Sequence, residues 1–411
     1  MKLLLFVLFA LTTAFTYWLR HINLAHLKKH GAVVPDGFGD AISQEKLQKT
    51  VDYTFATSRL GLWESLFDNL LLVVFLFGGL LALYDAFITA LSGSAVIAAI
   101  LFFIILFWLQ TALELPFSLY GTFVVEAGFG FNTMTLRLWL MDLVKSQAIG
   151  ALITALLIGA VFSLIGWSPL HWWLWVWAFL ALFGLFMMFI SPYVIEPLFN
   201  KFEPVTEPGL AEEIGAMMAR AGLQVGKVVQ MDASRRSKHS NAYFTGIGKV
   251  KRIVLYDTLL QQMSHAEIVA VLAHEIGHWK LGHIWKRLLV AEMVALAVSY
   301  GAFAALGWQG LPGLLGYTAL SLPARLVILG FIASLISLPF TPLFSWLSRR
   351  DEYGADRFAA ETTGDPEALA TALIKLSAEN LSNLHPHPLY AGFYYSHPPV
   401  VERVKMLRIL D

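Results

Sequence analysis

The chain has 411 residues, of which 57% are hydrophobic and only 14% charged, and its formal net charge is zero. That composition excludes an ordinary water-soluble globular protein, and the balanced charge gives no case for nucleic-acid binding. Cysteine is absent, so disulfides are excluded and any metal site has to be built from His and carboxylates.

Seven stretches are long and apolar enough to span a bilayer, near residues 3–19, 66–84, 95–113, 147–166, 172–190, 288–307 and 326–347. The first has only Lys2 as a basic region and no clear small-residue cleavage site, so a retained span is expected rather than a signal peptide. With the N-terminus outside, the inside segments are 20–65, 112–146, 193–287 and 348–411. They hold every Lys and Arg of the chain except Lys2 and Arg325. This asymmetry predicts seven spans with the large loop and the C-terminus cytoplasmic. Segment 20–65 is amphipathic and mixed in charge, and reads as a solvated connector as readily as a functional element. Asp68, Asn69, Asp85 and Glu292 lie within or beside spans, and Asp68 and Asp85 read best as interfacial or helix-end groups.

The polar blocks 193–287 and 348–411 are each short for a domain with its own core. They are expected to fold together, giving the division 1–192 (membrane helices one to five), 193–287 (first part of a catalytic unit), 288–347 (helices six and seven) and 348–411 (second part). The first block reads helix at 207–221, strand at 226–231, a polar loop, then strand at 252–256. Ser264 and Glu267 form an S-x-x-E capping box, so a helix should start near His265, with Ile268, Val271, Leu272 and Ile276 as its apolar stripe.

In the middle of that helix stands H-E-I-G-H at 274–278. Two His four apart lie on one helical face, so His274 and His278 can reach one Zn²⁺, with Glu275 beside them to take a proton from water. The alternative is a helix carrying two buried, hydrogen-bonded histidines. A zinc hydrolase wants a third protein ligand and an open position. Glu352 and Asp356, four apart, could supply a ligand and an acceptor that orients a ligand His. Arg349, Arg350 and Arg357 make a surface ion-paired helix an equal reading of the same spacing. His283, five residues past His278, points to another face of a continuous helix. His385, His387 and His397 lie in a tail broken by Pro386, Pro388, Pro398 and Pro399, from which one His could reach a site.

These residues, with others along the chain, carry a resemblance. L-P-F-S-L-Y at 115–120, G-F-N at 130–132, P-L-F-N-K-F at 197–202 and S-K-H-S-N-A-Y-F at 237–244 join H-E-I-G-H-W-K-L-G-H at 274–283. Glu352 to Asp356, Y-S-H-P at 395–398 and Glu402-Arg403 complete the set. The chain resembles the Ste24 or type I CAAX prenyl proteases, membrane zinc metalloproteases of the M48 group. The resemblance implies a mostly α integral membrane protein, with seven transmembrane helices enclosing an intramembrane chamber and a zincin-like α+β catalytic domain on the cytoplasmic side. It implies one Zn²⁺ per chain on His274, His278 and Glu352, Glu275 as general base, and Asp356 as the partner of a ligand His. Asn241 would hold substrate backbone, and His397 and Arg403 would face the metal and stabilise the oxyanion or substrate carbonyl. The implied partners are the lipid bilayer and a peptide or protein substrate, prenylated at a C-terminal CAAX in the family's own case. No long insertion lies between Phe331 and Ser348, and 407–411 carries no lysine retrieval signal. Both suggest a bacterial inner-membrane homologue, which puts the prenylated substrate in question.

Other classes stay open at this point. A quality-control protease of the HtpX group shares the motif but has fewer spans. A site-2 protease would put an Asp ligand on a later span, and 288–307 and 326–347 contain none. A metal transporter would need polar residues through several spans or paired broken helices, for which Pro339 and Pro342 are the only hint.

Overall fold

The computed structural model describes residues 1–39, 41–222, 224–245 and 250–410. Among the described residues, seven helices are long and apolar enough to cross a membrane: Lys2–His30, Gln44–Phe77, Ala95–Glu126, Leu136–Trp167, Trp172–Phe199, His283–Gly307 and Leu322–Thr363. Six of them contain the apolar stretch that marks them, whereas the second ends at Phe77, short of the expected 84, because Gly79 at φ +92° turns the chain into a separate helix, Leu80–Leu91. The second span starts early, at Gln44, where the Ser43 side chain caps the amide of Lys46. Segment 20–65 is therefore no connector, since only 31–43 lies between its two helices. Hydropathy detects only the part of a helix that lipid contacts, whereas the helix continues as long as its backbone bonds and packing hold.

The spans pack on their chain neighbours, and the seventh returns to the first. Leu5, Leu76, Phe102, Trp172, Leu306 and Phe331, from six of the spans, meet in one hydrophobic core, and outside it the spans are sparsely packed. Accordingly, no more than 17% of any span's most apolar window is buried. Glu64 and Asp68 on the second span and Glu114 on the third lie close enough to repel one another. Asp85 is buried, and it accepts hydrogen bonds from the backbone and hydroxyl of Ser321, at the start of the seventh span. That is a helix-end role.

Beside one end of the ring stands a four-stranded sheet. Its strands are β1 (Phe202–Pro204), β2 (Gln224–Met231), β3 (Ala242–Thr245) and β4 (Val250–Tyr256), in the order β1-β2-β4-β3. β2 and β4 are parallel, while β3 pairs antiparallel with β4, Ala242 opposite Leu255 and Thr245 opposite Arg252. β1 and β3 are three and four residues long, too short for a period-2 pattern to announce them. One hydrophobic core joins the first block (Leu210, Met217, Leu255, Leu272) to the second (Leu369, Leu373, Val404, Leu407). Phe38, from the turn between the first two spans, and Leu47, in the first turn of the second span, enter the same core.

Candidate metal centre

The helix His265–Lys280 starts at the expected capping box, with Ser264 and Glu267 bonding each other's backbone amides. It packs on the inner end of the seventh span and on the helix Pro366–Glu379. The close approach runs through Gly277. A Cβ there would meet the Cα of Ala355 at 3.0 Å, so glycine lets the two backbones draw together. This proximity sets His274 and His278 opposite Glu352, one turn before Asp356.

Ligand atoms of His274, His278 and Glu352 all lie within 4.8 Å of one another. The two Nε2 atoms are 3.3 Å apart. His274 Nε2 is 3.3 Å from Glu352 Oε2, and His278 Nε2 is 3.2 Å from Oε1. His274 Nδ1 lies 2.8 Å from Asp356 Oδ1, and donating its proton there turns a bare Nε2 lone pair toward Glu352. Glu352 Oε2 is buried and has no hydrogen-bond partner among the described residues. Two imidazole nitrogens and a carboxylate thus converge on one point, an arrangement that a cation satisfies.

Arg403 grips Asp356 with two bonds, Nε to Oδ2 at 2.8 Å and Nη2 to Oδ1 at 2.6 Å, and its Nη1 lies 3.9 Å from Glu352. A buried Arg placed this way fixes the acceptor that in turn fixes His274. His397 Nε2 stands 3.5 Å from Glu352 Oε1, yet 62% of its side chain is exposed, so it reaches the cluster from the open side. Glu275 makes no hydrogen bond among the described residues, and burial pushes its carboxyl above the usual range.

Asn241 stands immediately before β3, on the exposed edge of the sheet. Its carbonyl accepts from the amide of Tyr256, and its own Oδ1 covers the amide of Ala242 at 2.8 Å. His385 and His387 lie elsewhere: one bonds the Val33 carbonyl at 2.7 Å, and the other packs on His26. His283 was set aside by spacing, but its Nδ1 lies 3.2 Å from His278 Nδ1, with Asp351 behind it at 3.6 Å. Gly282, at φ +71°, turns the chain before His283, so the periodicity of one continuous helix does not apply there.

Comparison with known proteins gives the same picture over the whole chain. Residues 23–201 match the family described as "CAAX prenyl protease N-terminal, five membrane helices", and residues 204–410 match "Peptidase family M48". A "CAAX prenyl protease 1 homolog" of Oryza sativa is 37% identical, covering 75% of this chain and 72% of the relative. A homolog of the same description from Caenorhabditis elegans is 32% identical over 98% of this chain and 96% of its own length. Among solved structures, S. mikatae Ste24p superposes with a TM-score of 0.92 at 28% identity, covering 99% of this chain and 98% of that one. The chain therefore belongs to peptidase family M48 and is an integral membrane metalloprotease of the CAAX prenyl protease type.

Proposed function

We propose that this protein is a zinc endopeptidase that cuts near the C-terminus of lipid-modified or membrane-associated peptides. The spacing of the three donors carries the choice of metal. Tetrahedral bonds of about 2.0–2.1 Å place neighbouring donor atoms about 3.3–3.4 Å apart. The two imidazole donors here stand 3.3 Å apart, and each lies 3.2–3.3 Å from its own oxygen of Glu352. Two imidazoles and one carboxylate leave a fourth position free, the pattern of a catalytic rather than a structural site. Zinc held there polarises a carbonyl and lowers the pKa of water toward ~7.

Around it, each residue has one task. His274, His278 and Glu352 hold the ion. Asp356, fixed by Arg403, keeps His274 in the tautomer that presents Nε2. Glu275 takes a proton from the attacking water and passes it to the leaving amine, and its raised affinity for protons suits the second half of that work. His397 donates to the oxyanion from the open side, helped by the nearby positive charge of Arg403. Substrate lies extended along β3, where Asn241 holds its backbone. The excess of Lys and Arg in the segments flanking the spans supports a cytoplasmic catalytic unit, and the compact chain supports a bacterial inner membrane.

The deciding experiment compares a peptide farnesylated at a C-terminal CAAX cysteine with its unmodified twin, using detergent-purified protein. Chelator-treated enzyme and Glu275→Gln serve as controls. Metal-dependent cleavage of the farnesylated peptide alone supports lipid-directed processing. Equal cleavage of both would replace it with a general membrane-proximal peptidase. A cysteine placed at the exposed Lys405 that is labelled from the outer face of cells would overturn the orientation.

A further inference from the structure

The two histidines of the metal cluster are held from behind by different groups. His274 Nδ1 faces the carboxylate of Asp356, which Arg403 grips. His278 Nδ1 faces a second imidazole instead, with His283 Nδ1 at 3.2 Å. That contact fixes the protons of both rings. When His278 turns a bare Nε2 toward the cluster, its single proton sits on Nδ1, so the bond runs from His278 to His283. His283 Nδ1 is then the acceptor, and the proton of His283 sits on its Nε2. Asp351 Oδ1 stands on that side, 3.6 Å from Nε2, an electrostatic neighbour rather than a hydrogen-bond partner. Arg287 takes the other oxygen of Asp351, with Nε and Nη2 both 2.8 Å from Oδ2. Oδ1 is left to face His283.

The backbone prepares this arrangement. Gly282, at φ +71°, interrupts the helical run after Lys280, which brings the ring of His283 back against His278. His283 is only 7% exposed. A Cβ on Gly354 would stand 3.6 Å from its Cε1, so the ring lies close along the seventh span. His283 itself opens the sixth span, and Asp351 belongs to the seventh. The support of His278 therefore comes from the inner ends of two spans, whereas Arg403, which supports His274 through Asp356, comes from the last helix, Val400–Leu407. His283 lies on the Nδ1 side of His278, away from the Nε2 edge that meets Glu352, so it is not placed as a further ligand.

We infer that His283 is a positioning residue for the metal. It holds His278 in the tautomer and ring orientation that turn Nε2 to the ion, and Asp351 with Arg287 sets the proton of His283 in turn. The inference rests on the zinc reading above. A neutral imidazole draws less on the His278 proton than a carboxylate draws on that of His274, so the two ligands are unequal, and His278 depends on an acceptor that an apolar side chain of the same shape cannot replace.

The test measures the zinc affinity of detergent-purified protein by competition with a chelating dye, which needs no turnover. His283→Phe keeps a ring and removes the acceptor, and its zinc dissociation constant should rise about 10–100-fold. His283→Asn places an amide oxygen near the position of Nδ1 and should stay within about three-fold of wild type. Asp351→Ala lets the proton of His283 move to Nδ1, and should weaken zinc by less than His283→Phe does. Melting of the metal-free proteins separates a folding defect from a metal defect, and should be alike for the Phe and Asn variants. Where His283→Phe fails to fold, His283→Leu takes its place. An equal loss of zinc in the Asn variant would mean that His283 only fills space, and overturns the inference. Tight wild-type binding that His283→Phe leaves intact overturns it too, without touching the proposed function. A wild-type protein that takes up no zinc overturns both.

Discussion

The helix His265–Lys280 and the sixth span His283–Gly307 follow one another in the chain and are built on opposite terms. The first buries half its residues, among them Leu272, Ala273, His274, Ile276 and Gly277. The second buries none of its most apolar window. One lies in a close-packed core shared by two blocks of sequence, and the other is a stave with lipid outside and open space inside. The difference teaches where precision is needed. A metal centre requires donors held to fractions of an ångström, which dense packing and hydrogen-bonded supports provide. A chamber wall needs only to stay closed to lipid and open to substrate.

If this is so, the largest effects belong to the packed side. Glu275→Gln should lower kcat by about 10²–10⁴-fold with metal content unchanged, because it removes the base and leaves every donor in place. Elemental analysis beside a peptide assay checks both halves, and wild-type turnover would remove Glu275 from the mechanism. His274→Ala and Glu352→Ala should lose the metal itself, so stoichiometric zinc in either variant would refute the ligand set. His397→Ala comes next, with a fall of about 10²–10³ in kcat and zinc retained. His397 is largely exposed and supports nothing, so its loss should leave thermal stability where it was.

How legible this division was in the chain depended on range. The capping box at Ser264 and the stripe from Ile268 to Ile276 are local patterns, and the helix appears where they place it. H-E-x-x-H is local too. Glu352 was not legible from spacing, because the same interval reads equally as a surface ion pair. Family resemblance supplied it. The grip of Arg403 on Asp356 joins residues 47 apart and leaves no periodic trace. The helix of 44–65 was missed for the reverse reason: it extends beyond the lipid, where polar residues hide it from hydropathy. His283 was missed because a left-handed glycine breaks the helix whose periodicity was used to dismiss it.

Truncations of equal chemistry put the comparison on one scale. Leu272→Ala removes a fully buried side chain from the shared core and should cost about 2–5 kcal/mol. Leu156, on the fourth span, is 56% exposed to lipid or chamber, and Leu156→Ala should fall within about 0.5 kcal/mol. Heat-inactivation midpoints in one detergent give the ranking. Equal shifts would mean that the spans carry as much packing as the catalytic unit, and the contrast would fail.

The smallest effect is one of pH. Burial in the packed side pushes the Glu275 carboxyl above its ordinary value of 4.5. The base form is the one that accepts the proton, so activity requires pH above that raised value. The acid limb of kcat/KM should therefore lie higher than a solvent-exposed glutamate would place it, and kcat/KM should fall as pH drops through that raised value. The limb reports on the free enzyme, so kcat/KM is the quantity to follow across pH. A limb at or below 4.5 would mean that water or the bound metal offsets the burial, and that the centre is wetter than its packing indicates.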